Sequence, residues 1–339
     1  MLEEAKRRRF VSNGSWPLGR GWPIVLFLLL AIGDFVVFAP ALQGPFISDD
    51  YYYIVDNPFT EKLDWEAVAA VFEPGGPASL YVVNYAPLHL LAHGGERFLF
   101  GTAWLTPYHV INVLLHALNA VLLVALLRRS GVSDLGALAA AGIFSFHPAG
   151  VEAVAWISQL KTQASLALGF GALLVFRRLP ALSVLLFAMA LLFKASALFV
   201  LPMAAAFAWA WHLGRRHGVW LGVWLGVALL YAVPQFAAFQ YGGHHVEPAF
   251  ADPWVQLRTI AAIGTRYLAM AATAYGVSPL QGPAPVLSAL DPWWLASIPI
   301  GVFLVWRLVA SLRERSCEAA WWLGAAAAFA PISQIFPFI

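Results

Sequence analysis

The chain has 339 residues, of which 61% are hydrophobic and only 11% charged, and its formal net charge is +2. That balance excludes a single core folded in water, because too few charged groups are present to solvate the surface of such a core. A nucleic-acid partner is excluded as well, since the basic residues lie in short clusters between apolar runs and form no single patch.

A helix needs about 20 mostly apolar residues to cross hydrocarbon, and runs of that kind recur from Trp22 to the C-terminus. The expectation is an all-α integral membrane protein: a polytopic helical bundle of about nine spans with a long first extracytoplasmic loop, residues 1–339 forming one transmembrane domain. The run Trp22–Ala41 follows Lys6, Arg7, Arg8, Arg9 and Arg20. It is long for a signal peptide and lacks a small-x-small cleavage site, so it reads as a retained span. The positive-inside rule then places the N-terminus in the cytoplasm and sends residues 43–106, polar and rich in Pro, Gly and acidic groups, to the outer side. Within that loop, Asp64 reads as the cap of a short surface helix carrying Trp65, Val68 and Phe72.

The second span is expected over about 107–127, returning to Arg128 and Arg129, and the third over 134–146. A short outer segment, 147–160, precedes a fourth span that returns to Arg177 and Arg178. The fifth runs over 180–193, the sixth returns to Arg215, Arg216 and His217, and the seventh exits near Gln240, leaving 241–256 outside. Residues 257–275 are apolar but carry Arg258 and Arg266, so a re-entrant or interfacial helix is expected there. Spans over 291–309 and from Ala319 to Ile339 complete the count. Cys317 stands alone and is read as structural.

Charged and polar groups at membrane depth are costly, so they mark candidate chemistry. Asp49 and Asp50 stand together in FISDDYYYIVDNP just after the first span. Adjacent side chains point in different directions, so the two carboxylates do different jobs, one as a base and the other in positioning. In the second span His109, Asn112, His116 and Asn119 follow a three-four-three spacing that puts them on one stripe, either as interhelical glue or as the lining of a site. In HPAGVEAVAWISQLKTQAS, Glu152, Trp156 and Gln159 share a face, followed by Lys161. Lys161, Lys194, Arg258 and Arg266 can each hold a phosphate or snorkel to lipid headgroups. His89 and His93 form an HxxxH pair with no carboxylate seen at a ligand spacing, and no metal or other cofactor is expected. Asp34 lies inside the first span and calls for a polar neighbour.

The ordered blocks FISDDYYYIVDNP, TPYHVINVLLHALNAVLLVALLRR, FSFHPAGVEAVAWISQLKTQAS and KASALFVLP resemble the transmembrane and tetratricopeptide-repeat O-mannosyltransferases and their bacterial relatives, of the GT-C class of membrane glycosyltransferases. The resemblance implies transfer of a sugar, mannose in the first instance, from a polyprenyl-phosphate carrier to an acceptor hydroxyl of a protein or glycan at the extracytoplasmic face of a bacterial inner membrane. It places Asp49 and Asp50 as the acidic motif and puts His147, Glu152, Trp156 and Lys161 in the second loop. His109, Asn112 and His116 are expected to line the same site, with Arg258 and Arg266 joining Lys161 on the donor phosphate. The chain departs from the family pattern at Ala86, Thr162 and Ala195, where an arginine, an aspartate and a glutamate are usual, and it has no tetratricopeptide repeats. With cations placed to receive the leaving phosphate, a single inverting displacement is expected. A transporter or flippase of lipid-linked sugars is the alternative; it predicts polar groups near the midplane of paired repeats.

Overall fold

The computed structural model describes residues 21–241, 250, 252–278, 282 and 284–333. The basic N-terminal cluster, most of 241–256 and the C-terminal end of the last expected span lie outside the described residues. Among the described residues the structure is entirely helical, with no strand. The helices used below are α1 Trp22–Val37, α2 Trp65–Phe72, α3 Pro87–Phe100, α4 Thr106–Arg129, α5 Asp134–Phe146, α6 Leu160–Val175, α7 Pro180–Phe193, α8 Val200–Ala210, α9 Arg215–Tyr241, α10 Pro253–Thr273, α11 Pro292–Arg313 and α12 Glu318–Phe329.

Helix starts follow the local chemistry. Proline stands in the first turn of α1, α3, α4 and α7, where its missing N–H costs nothing. Side-chain caps open α2, α5 and α11. Asp64 accepts from the Ala67 N–H at 2.8 Å, Ser133 from Gly136 at 3.2 Å, and Asp291 from both Trp293 and Trp294. As expected for a surface helix, α2 leaves Trp65 and Phe72 exposed, while Val71 is buried.

Three helices, α4, α9 and α11, are long and apolar enough to cross a membrane, and α5 with the following Pro148–Ala155 makes a fourth candidate bent by 55°. The apolar helices α1 and α7 have 16 and 14 residues. At 1.5 Å per residue they reach only about 21–24 Å, short of a full hydrocarbon core of about 30 Å. Apolar side chains on the outside of α1, α9 and α11, among them Ile32, Val36, Leu229, Leu230 and Val302, are exposed, which suits lipid as the surrounding solvent. The helices and the comparisons below fit an integral membrane protein.

The largest core joins α6, α7, α8, α9 and α12, where Phe187 stacks on Trp224 at 4.3 Å and Gly169 and Gly324 admit Val200 and Met203 closely. A second core packs α1 against α4 and α5. A third is built from Tyr53, Ile54, Val71, Ala78, Leu90, Tyr108 and Ile157, so the 43–106 segment is a packed layer with its own interior.

The bundle has two unlike ends. At one, Arg129 donates to the Leu174 carbonyl and His217 meets the Arg177 carbonyl; Arg315 lies over Trp209, and Arg307 pairs with Glu318. At the other, the 43–106 layer meets the turns after α5 and α7. Among the described residues, the basic clusters at 128–129, 177–178, 215–217 and 307–315 therefore gather together, opposite the acidic layer.

Candidate functional site

The site starts from Asp50. Its side chain is fully buried, with Oδ2 accepting from the Ile47 N–H at 2.9 Å and Oδ1 from the Ser158 N–H at 2.8 Å. Trp156 adds a second tie across the same seam, its indole N–H donating to the Ile47 carbonyl at 3.3 Å. One carboxylate thus clamps the loop after α1 to the turn before α6. Burial raises the Asp50 carboxyl above its ordinary range, against the two N–H donors that favour its charge. With both oxygens engaged and no exposure, Asp50 fits the positioning member of the expected pair, which leaves Asp49 as the candidate base.

Asp49 faces the opposite way. Its side chain is 46% exposed, and its Oδ2 lies 4.0 Å from the Lys161 ammonium. Ser48 just before it has φ of 45°, and Tyr51–Val55 just after it forms a single π-turn. A left-handed serine and a π-turn together mark a strained backbone of the kind that collects at functional sites. Arg97 ties down the end of that turn, donating to the Ile54 and Val55 carbonyls at 2.6 and 3.0 Å.

Lys161 is nearly buried and sits 4.1 Å above the Tyr53 ring. Lys194, at the end of α7, donates to the Thr162 hydroxyl at 2.7 Å. Thr162 bonds Gln159, which reaches Glu152 at 3.4 Å. Burial first, and the Lys161 charge second, bring the Lys194 amine down to about 8, while Glu152 and Asp49 hold it up. Two lysines and two carboxylates therefore share one electrostatic neighbourhood. The phenol of Tyr267, from α10, joins it on the Glu152 side, its pKa raised by burial and then by that carboxylate.

The α4 stripe is spent on positioning. The Asn112 amide donates to the Trp156 and Ile157 carbonyls at 3.0 and 3.2 Å, and that of Asn119 to Gln163. His109 meets the Gly44 carbonyl and His116 the Ser145 carbonyl. His109, Asn112 and His116, expected to line the site, are buried, and their described bonds run to backbone carbonyls of the flanking loops. Their work is to hold the two loops in which Asp49 and Lys161 stand. His147 caps the turn after α5, its Nδ1 accepting from the Ala149 N–H. Asp34 is buried in α1 beside Ser145 of α5.

Arg258 and Arg266, expected on the donor phosphate, both belong to α10. Arg258 donates to the Val286 carbonyl at 3.2 Å and Arg266 lies over Trp293, so their described contacts run to the 284–294 segment and not to Lys161. The HxxxH pair has the carboxylate that its spacing seemed to lack: Glu96, three residues on, meets His93 Nδ1 at 2.6 Å. His89 lies between His93 and Tyr53, edge-on to the first and tilted to the second, and burial, then the nearby His93 and Lys161, push its imidazole well below the ordinary range. Sequence reasoning missed the supporting roles of Tyr53, Ser158 and Thr162, since each is assigned only by contacts across segments. It singled out Lys194 as a lone cation in an apolar run but did not join it to Lys161.

Fold and site together describe a helical membrane protein that gathers an exposed carboxylate, a buried lysine and a half-buried one at one end of its bundle. Two curated proteins are similar to it: the protein O-mannosyl-transferases TMTC1 of Mus musculus, 33% identical over 136 residues, and of Homo sapiens, 32% identical over 136 residues. Each match covers 38% of this chain, and the chain spans only 14% and 15% of the relatives' lengths. No protein-family model matches the chain. No solved structure matches it either.

Proposed function

We propose that the chain is a glycosyltransferase of the GT-C class that moves a sugar, mannose by its resemblance, from a polyprenyl-phosphate carrier to an acceptor hydroxyl on a protein or glycan. The observation that carries the proposal is the Asp49 carboxylate, open to solvent and 4.0 Å from the Lys161 ammonium, on a loop that Asp50 locks in place. The O-mannosyl-transferase names of the two similar proteins support the same reading.

In this scheme Asp49 takes the proton of the acceptor hydroxyl as its oxygen bonds to the anomeric carbon. The bond from that carbon to the phosphate oxygen breaks, and its electron pair leaves with the phosphate. Lys161 and Lys194 stabilise the charge that develops there. Attack opposite the leaving group inverts the anomeric centre. Lys161 is the cation in contact with the base at 4.0 Å, and Lys194 shares its electrostatic neighbourhood.

The topology proposed with this activity has a cytoplasmic N-terminus in a bacterial inner membrane and the site on the extracytoplasmic side. Its count of about nine spans includes the shorter helices. In this reading α10 lies at the interface, which is supported by its middle: Gly264 and Tyr267 meet Phe329 at the end of α12, and Arg266 meets Trp293 at the start of α11. The test is turnover. Membranes carrying the protein, given mannose-charged polyprenyl phosphate and serine- or threonine-containing peptides, are expected to release polyprenyl phosphate and mannosylate the peptide in equal amounts. Release without sugar transfer, or export of intact donor, would count against a transferase.

A further inference from the structure

The end of the bundle opposite Asp49 and Lys161 carries positive charge that the fold leaves unbalanced. Arg128 is answered there by Asp134 at 2.7 Å and Arg307 by Glu318. Among the described residues no carboxylate forms an ion pair with Arg129, Arg177, Arg178, Arg215 or Arg216.

Three helix ends bring these arginines together. Arg129 closes α4 and donates to the Leu174 carbonyl in the last turn of α6. Arg177 and Arg178 follow in the turn after α6, near enough for their charges to act on the Arg129 guanidinium. All three are exposed. Beside them α9 begins with Arg215, Arg216 and His217 and has no acidic residue in its first turn. His217 meets the Arg177 carbonyl at 3.2 Å and the Phe176 ring edge-on, which fixes the turn against α9. Like charges held together in this way repel one another, so the arrangement calls for an anion from outside the chain.

The depth of the cluster selects that anion. The Trp321 indole donates to the Ser130 hydroxyl at 3.1 Å, next to Arg129, and Arg128 lies over Trp22 at 5.4 Å. Trp220 stands one turn after Arg216 on α9. Tryptophan collects where hydrocarbon gives way to lipid headgroups, so the arginines stand at the level of lipid phosphates. Leading away from them, Leu182 and Leu185 are exposed along α7 and Val219 and Val223 along α9. Such apolar tracks suit acyl chains, which a free phosphate lacks.

We propose that Arg129, Arg177 and Arg178 bind the phosphodiester headgroup of an anionic phospholipid whose acyl chains lie along α7 and α9. The site is separate from the proposed transferase site and stands or falls without it.

Native mass spectrometry of the purified protein tests this with phosphatidylglycerol, phosphatidylcholine of the same acyl chains, and inorganic phosphate. The proteins are wild type, Arg178→Gln, the double variant Arg177→Gln with Arg178→Gln, and Lys62→Gln, which removes one charge from the opposite layer. The substituted side chains are exposed and the Arg177 carbonyl that meets His217 is kept, so the variants retain the fold. Phosphatidylglycerol is expected to bind wild type more tightly than phosphatidylcholine. Its binding should weaken about fivefold in Arg178→Gln and roughly thirtyfold in the double variant. Lys62→Gln should bind it as wild type does, and inorganic phosphate should not displace it. Equal binding of the two lipids by wild type, or equal weakening in Arg178→Gln and Lys62→Gln, would overturn the proposal. Displacement of phosphatidylglycerol by inorganic phosphate would overturn it too, in favour of a site for soluble anions.

Discussion

Replacing Asp50 by alanine tests the division of labour between the two adjacent aspartates. The side chain is fully buried and accepts two backbone N–H groups, from Ile47 at 2.9 Å and Ser158 at 2.8 Å. Alanine leaves both donors without a partner in a site closed to bulk water. At about 1–3 kcal/mol for each unsatisfied buried donor, the loss for the two is about 2–6 kcal/mol. It should fall on the seam between the loop after α1 and the turn before α6, so α4 and α7 should hold while the seam opens. Hydrogen exchange on the detergent-solubilised protein reads this directly: amides of 44–56 and 156–160 should lose protection in Asp50→Ala, while those of α4 keep theirs. Asp50→Asn keeps one acceptor oxygen and should fall between the two. Wild-type protection of both segments in Asp50→Ala would refute the clamp and return Asp50 to the list of possible bases.

Three further outcomes follow from the same geometry. Because Lys194 is brought down to about 8, it is charged in the free protein below that pH and neutral above it. kcat/KM for the lipid donor should therefore fall as pH rises through about 8, and Lys194→Arg, which stays charged, should flatten that limb; an unchanged limb would remove Lys194 from the phosphate. Asn112→Leu deletes the two bonds to the Trp156 and Ile157 carbonyls and should lower thermal stability in detergent by about 1–3 kcal/mol, with the second loop becoming sensitive to protease. Gly169→Ala would place its Cβ 2.7 Å from Val200 Cγ2, forcing α6 and α8 apart, at a cost of about 1–3 kcal/mol by chemical denaturation.

Helix boundaries were legible because their signals are local. Pro180 opens α7, Ser133 caps α5 and Asp64 caps α2, each within a few residues of the helix it starts. The Asp49–Asp50 pair was legible as two different roles, because neighbouring side chains diverge. Which residue took which role was not legible: Asp50 is decided by Ser158, 108 positions away. The α4 stripe shows the same limit, since a three-four-three spacing announces a polar face but not that the face meets backbone carbonyls of 156–157 and 145. Arg258 and Arg266 were assigned to phosphate on charge alone, and the 284–294 segment that receives them carries no motif to reveal it. Short apolar helices such as α7 gave the same hydropathy signal as the longer ones, because composition does not record where a helix ends.

The central claim is that Asp49 is the base of a lipid-dependent sugar transfer. The most direct measurement compares wild type and Asp49→Asn, purified at equal amounts, for mannosyl transfer from a polyprenyl-phosphate donor and for binding of that donor. Asn has nearly the same shape, and the side chain is half open to solvent, so folding and donor binding should be unchanged. Transfer should fall by about 10²–10⁴, the usual contribution of a positioned general base. Transfer at the wild-type rate by Asp49→Asn would contradict the account.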